Sequence, residues 1–233
     1  MNLGSPDSTE VRDVKRYLDD EKVIDKPWLF RLLLVKGIIT PFRASKSANA
    51  YKSVWTKDGS PLIVISRQLQ ESLQKLVSEP VEIAMRYGSL TPEKAFDALY
   101  KRNPSLEEVI AVPLYPHYAM SSYETAAEHA IRTHQKKRYP FALKLVKPFY
   151  NEPVYINALA ESIRPYLTGK YDHILFSYHG IPARHLHRND PAALQQCLAS
   201  QGNCAPGSPG FANCYKRHTF ETTRLVMEQL GIP

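Results

Sequence analysis

Short apolar runs alternate with amphipathic stretches along most of this chain. Pro80-Val81-Glu82-Ile83-Ala84-Met85-Arg86-Tyr87-Gly88 reads as a strand that stops at a glycine. Thr91-Pro92-Glu93 then opens a helix, since proline suits the first helical turn, and the helix continues through Ala98-Leu99. Glu108 to Tyr115 is a second strand, followed by a helix around Tyr123 to His134. Phe141 to Val146 is a third strand and leads to a helix from about Pro153 to Leu167. Asp172 to Tyr178 is a fourth strand, and a closing helix spans about Lys216 to Leu230. No internal repeat of short period and no low-complexity tract interrupts this order.

Such alternation predicts an α/β fold, a parallel sheet with helices on both faces. Right-handed crossovers bring the carboxyl ends of the strands to one rim, where open sheets place their ligands. Arg86-Tyr87, Tyr115-Pro116-His117 and Tyr178-His179 all fall at that rim. The richest chemistry is in Leu175-Phe176-Ser177-Tyr178-His179-Gly180-Ile181-Pro182, where an apolar run delivers a histidine and Gly180 and Pro182 stop the strand. An imidazole there can take a proton or bind a metal near neutral pH, and a packing histidine is the alternative. A boundary near Pro148 to Pro153 divides the chain into lobes 1–149 and 150–233.

A hydrophobic fraction of 43% over 233 residues suits one large domain or two small ones. No run approaches the ~20 apolar residues of a membrane span. Met1 to Asp7 is polar and turn-like and lacks the pattern of a secretory leader, so a cytoplasmic location is expected. The net charge is +7, spread over Lys15-Arg16, Arg43 to Lys46 and Lys136-Lys137-Arg138. No basic motif with interleaved aromatics appears, so nucleic acid is not an expected partner. The charge suits a small acidic substrate or peripheral association with an anionic membrane; oligomeric state is not legible. Both ends read as incomplete. Asn2 to Pro6 has the character of a loop after a missing strand, and the chain stops after a helix where a strand is expected.

Several blocks, in order along the chain, resemble the ferrochelatase family, which inserts ferrous iron into a porphyrin at the end of haem synthesis. They are Asn2-Leu3-Gly4-Ser5-Pro6-Asp7, Lys46 to Trp55 with Gly59-Ser60-Pro61-Leu62, Met85-Arg86-Tyr87-Gly88, Pro113-Leu114-Tyr115-Pro116 and Ser177-Tyr178-His179-Gly180-Ile181-Pro182. The resemblance implies two Rossmann-like, chelatase-type lobes with parallel sheets, the second reading as truncated, and no nucleotide. It also implies protoporphyrin and ferrous iron as substrates, with a coproporphyrin relative not distinguished. His179 is then the residue that accepts a pyrrole proton or binds the incoming iron. Arg43, Tyr51 and Ser60 resemble porphyrin-contacting positions, Arg43 suited to a propionate and the hydroxyls to hydrogen bonds, with a solvated arginine and turn residues as the alternative. Arg86 and Tyr87 resemble the family's cleft pair or form a structural network, and Tyr115 and Tyr118 offer aromatic faces or cover a core. His117 is a second candidate base beside Tyr115 and Tyr118. His185 and His187 form a His-x-His pair that either binds a metal or sits in a solvated loop. His129 and His134, on a predicted helix, are expected to be exposed.

All three cysteines, Cys197, Cys204 and Cys214, lie in one stretch rich in Gly, Pro, Ser and Asn. A cytoplasmic disulfide framework is not expected. Crowded thiolates suit zinc or an iron–sulfur cluster, and free thiols are the alternative. Some bacterial members of the family carry a [2Fe–2S] cluster on cysteines near this point. The chain resembles them with three cysteines where four thiolates are usual; Ala205 is the first position to look for a lost ligand, and His218 or a cysteine beyond Pro233 is the expected substitute. The family's acidic catalytic segment and its Ser-Arg-x-Gly…Trp…Pro block have no counterpart here, since Glu221 and Glu228 lie on the last predicted helix. As a complete polypeptide the chain is therefore expected to be weakly active or inactive; as part of a longer one, the enzyme reading stands for the parent. A chelatase for another metal and tetrapyrrole, or a non-catalytic porphyrin carrier, are the rival functions.

Overall fold

The structure, a computed structural model, describes residues 1–18, 40–169, 172–189 and 211–232. The chain folds as two compact units. One comprises Met1–Val112 with Thr125–Val146, the other Pro113–Glu124 with Lys147–Pro233. The first contains α1 (Val11–Leu18), α2 (Thr40–Val54), α3 (Pro61–Gln74), α4 (Pro92–Arg102), β1 (Glu108–Ala111), α5 (Thr125–Lys137) and β2 (Ala142–Leu145). The second contains a π-helical turn (Met120–Glu124), α6 (Pro153–Ile163), a 3₁₀ turn (Arg164–Thr168), α7 (Ala183–Asn189), a further 3₁₀ turn (Phe211–Asn213) and α8 (Tyr215–Leu230).

In the first unit β1 and β2 pair in parallel, with Glu108 opposite Ala142 and Ala111 opposite Leu145. Val109 and Ala111 are buried while Glu108 and Ile110 are exposed, the alternation of a sheet covered on one face. The ladder stops before Pro113, which has no N–H to donate. Met1–Leu3 runs between β1 and the segment around Met85. Asn2 N–H donates to Ala84 O at 3.1 Å, Arg86 N–H to Asn2 O at 2.8 Å, and the Met1 nitrogen to Val112 O at 2.7 Å. The predicted strand Pro80–Gly88 is therefore reduced to a single bridge, Asn2 to Met85.

Thr91 caps α4 by accepting the Lys94 N–H, and Pro92 occupies the first turn, as the sequence predicts. Phe96 and Leu99 of α4 meet Val109, Ala130 of α5 and Phe141 in one core cluster. His134, expected to be exposed, belongs beside this cluster instead. Its ring lies against Phe96, Tyr139 and Phe141, and its Nε2 donates to Phe141 O at 2.6 Å. His129 is likewise half-buried. Helix α1 packs on α2, and Val14, Ala44 and Ala48 are buried there.

In the second unit α6 packs on α8, with Ile156 and Ala160 buried on one and Thr222 and Val226 on the other. α8 ends at Gly231, whose φ of +69° lets the last amides turn back to Glu228 and Met227 carbonyls. Asp172–Tyr178, predicted as a strand, forms no ladder among the described residues. Its pattern of exposure still alternates: Leu175, Ser177 and His179 face out while Phe176 and Tyr178 are half-buried. Among the described residues no helix is long and apolar enough to cross a membrane.

Candidate functional site

In the first unit the loops that follow two extended segments close on each other through glycines. A Cβ on Gly4 would lie 2.3 Å from Tyr87 O, and one on Gly88 would lie 2.7 Å from Ser5 O. Both have positive φ, so the approach needs glycine twice over. Asp7 ties the pair together: its Oδ1 accepts the Ser89 N–H at 3.1 Å and its Oδ2 the Arg16 guanidinium at 2.6 Å. Together with Ser5, Pro6, Trp55, Ser60 and Tyr87, it borders a cavity of about 250 Å³.

Two residues expected to contact porphyrin, Ser60 and Tyr87, line this cavity, and two others, Tyr51 and Arg86, touch lining residues Trp55 and Tyr87. Ser60, buried at the start of α3, makes no capping bond with its hydroxyl, and it lines the cavity with Tyr87. Tyr51 stands behind Trp55, their rings edge-on at 6.2 Å. Tyr17, edge-on to both Tyr51 and Tyr87, completes an aromatic row; burial, and then Tyr51 and Tyr87, push its hydroxyl pKa up. Arg86 is only 4% exposed. Its Nε donates to Thr125 Oγ1 at 2.9 Å, and its guanidinium lies 4.5 Å from the centre of the Tyr87 ring. Arg43 is exposed on α2 and does not line the cavity. Asp7 and Arg67 line it as well; nothing in their local sequence signals this, because it follows from how the loops pack.

In the second unit His179 is exposed at the end of the segment that precedes α7. Its neighbour Tyr178 turns inward, with its hydroxyl 2.8 Å from Thr223 Oγ1 on α8. The ring of His117 lies edge-on to Tyr178 at 5.5 Å and to Tyr215 at 5.9 Å. His117 Nε2 is 3.0 Å from Thr222 Oγ1, and that hydroxyl donates its only hydrogen to Tyr150 O at 2.7 Å. Nε2 must therefore carry the proton. Burial lowers the His117 pKa to about 4, so the ring is neutral at pH 7. Tyr115 is half-buried in the loop that also carries His117, its N–H donating to Pro113 O at 2.8 Å. Tyr118 Oη donates to Glu124 at 2.8 Å.

His218 does not serve as the substitute cluster ligand considered above. Its Nδ1 accepts the Tyr118 N–H at 3.1 Å, its Nε2 donates to Ala212 O at 3.0 Å, and the ring stacks on Tyr150. Both nitrogens are committed to the backbone. Cys214 is buried at the residue before α8. Cys197 and Cys204 lie outside the described residues. His185 and His187 both fall on α7, and His185 is half-buried. Among the described residues no three His, Cys, Asp or Glu side chains converge as a metal site. The threonines of α8, with Thr222 and Thr223 one turn after Thr219, were the missed signal in the sequence.

The family model for ferrochelatase matches residues 1–233. A ferrochelatase of Pseudomonas syringae pv. tomato is 41% identical over 240 residues, covering 100% of this chain and 69% of the relative. One from Opitutus terrae is 42% identical, covering 100% of this chain and 68% of the relative. One from Porphyromonas gingivalis is 42% identical, covering 99% and 67%. Identity of this degree over the whole chain, in an α/β fold with a parallel sheet, establishes that the chain belongs to the ferrochelatase family.

Proposed function

We propose that this chain inserts ferrous iron into protoporphyrin IX to form protohaem, with His179 as the residue that works on the ring. Metallation removes two pyrrole protons and brings in an iron ion stripped of most of its water. It proceeds fastest on a ring bent so that nitrogen lone pairs leave its plane, and a site that grips the bent ring puts binding energy into the reaction. A neutral imidazole can accept a pyrrole proton or hold the entering iron. The observation that carries this reading is the solvent-facing His179 within Ser177-Tyr178-His179-Gly180, in a chain matched to the family from end to end.

Ser60 and Tyr87 are proposed to meet the porphyrin from the wall of the first unit's cavity, with Tyr51 and Arg86 supporting that wall. Arg43 is proposed to pair with a propionate from the surface of α2, and Tyr115 to offer an aromatic face. The cysteines take no part in these steps. Acid-labile sulfide released from the purified chain would assign a cluster to Cys197, Cys204 and Cys214; its absence would leave zinc ligands or free thiols.

The test is anaerobic metallation of protoporphyrin with ferrous iron, comparing the chain with its His179→Ala variant. Loss of porphyrin fluorescence with a matching haem absorbance, dependent on His179, is the expected result. Equal turnover by both would sink the assignment. Tight porphyrin binding without turnover in the parent would favour the carrier reading.

A further inference from the structure

We propose that Thr223 is a positioning residue, whose hydroxyl acts through Tyr178 to set the direction in which His179 leaves the fold. This inference rests on His179 being the metallating residue. Among the described residues no ladder holds the segment before His179. A side chain does. The Thr223 hydroxyl donates its one hydrogen to Thr219 O at 3.0 Å, so its lone pair faces Tyr178 and the tyrosine is the donor across 2.8 Å.

The support behind that bond is firm. Thr219, Thr222 and Val226 of α8 are buried, anchoring the helix that carries Thr223. The next residue along, Thr222, holds His117, and the His117 ring stands edge-on against Tyr178. Two consecutive threonines thus pin two touching rings. In an extended chain successive side chains point to opposite sides, so a Tyr178 held inward turns His179 outward. The alternation of exposure from Ile174 to His179 has that sense.

The test uses the full chain with Thr223→Val, Thr223→Ser, Tyr178→Phe and the Val/Phe double variant. Ferrous insertion kinetics are read together with the mobility of the ¹³C-labelled His179 ring by NMR relaxation. Thr223→Val and Tyr178→Phe should each lower kcat roughly tenfold with the porphyrin KM within about twofold, as for a misplaced reacting group. The double variant should be no worse than either single one, because both remove the same bond. Thr223→Ser should restore the rate, and His179 mobility should rise in the Val and Phe variants alone. Unchanged kcat and unchanged His179 mobility in Thr223→Val would overturn the proposal, as would equal rates for the Val and Ser variants. Full activity of His179→Ala would instead overturn the assignment of His179, while its mobility in Thr223→Val would still decide the anchor.

Discussion

The Nδ1 of His218 lies 3.1 Å from the Tyr118 amide nitrogen and accepts its hydrogen, so this buried imidazole is held in the neutral Nε2–H form. A second proton on the ring would point at an N–H instead of a lone pair. Burial, the largest influence, lowers its pKa to about 4, with Arg217 and His117 acting in the same sense and the Ala212 carbonyl against it.

Acid should therefore loosen the second unit. His117 and His218 stay neutral when folded down to about pH 4 but take up protons near 6.5 when unfolded. Between those values the unfolded chain binds more protons, so stability is fully present above 6.5 and falls as pH drops towards 4. Urea midpoints across this range should slope downward with acid, and a His117→Gln/His218→Gln double variant should flatten the slope. An equal slope in both proteins would count against two neutral buried imidazoles.

Replacing His218 also removes two backbone partners at once. His218→Ala leaves the Tyr118 N–H and the Ala212 carbonyl unpaired beside a void, at a cost of about 3–5 kcal/mol. His218→Phe keeps the stack on Tyr150 and should cost about 1–2 kcal/mol less. Denaturant unfolding of the two variants checks the ordering.

Gly4 and Gly59 both have positive φ, yet only Gly4 faces another backbone. Gly59→Ala should cost about 1 kcal/mol, from strain alone. Gly4→Ala adds a clash with Tyr87 O and should cost at least about 3 kcal/mol while weakening porphyrin binding. Similar costs for the two would mean the loops do not meet as described.

Arg86 and Tyr87 should separate in their effects. Arg86→Met removes a buried guanidinium from Thr125 and from the Tyr87 ring and should lower stability by about 2–3 kcal/mol. Tyr87→Ala opens the cavity wall, and its larger effect should be on porphyrin affinity, by roughly tenfold. Fluorescence titration paired with thermal unfolding distinguishes them; a larger affinity loss in Arg86→Met would place the arginine on the ligand instead.

Local signals carried far in this chain. Proline and threonine at Thr91-Pro92 set the start of α4, the helical period and Gly231 set α8, and apolar runs set β1 and β2, because caps, periods and breakers act within a few residues. The solvent-facing histidine in Ser177-Tyr178-His179-Gly180 was legible for the same reason: its motif is contiguous. Tertiary packing decided the rest. Pro80–Gly88 and Asp172–Tyr178 have strand composition, yet among the described residues the first makes a single bridge and the second no ladder, since pairing is set by partners distant in sequence. His218 looks polar in sequence and became a core residue, and His134 a half-buried one beside the core, because backbone carbonyls and an amide satisfied both ring nitrogens of His218 and one of His134. Asp7, Thr222 and Thr223 gained their roles in the same way, from hydrogen bonds to residues that only the folded chain brings within reach.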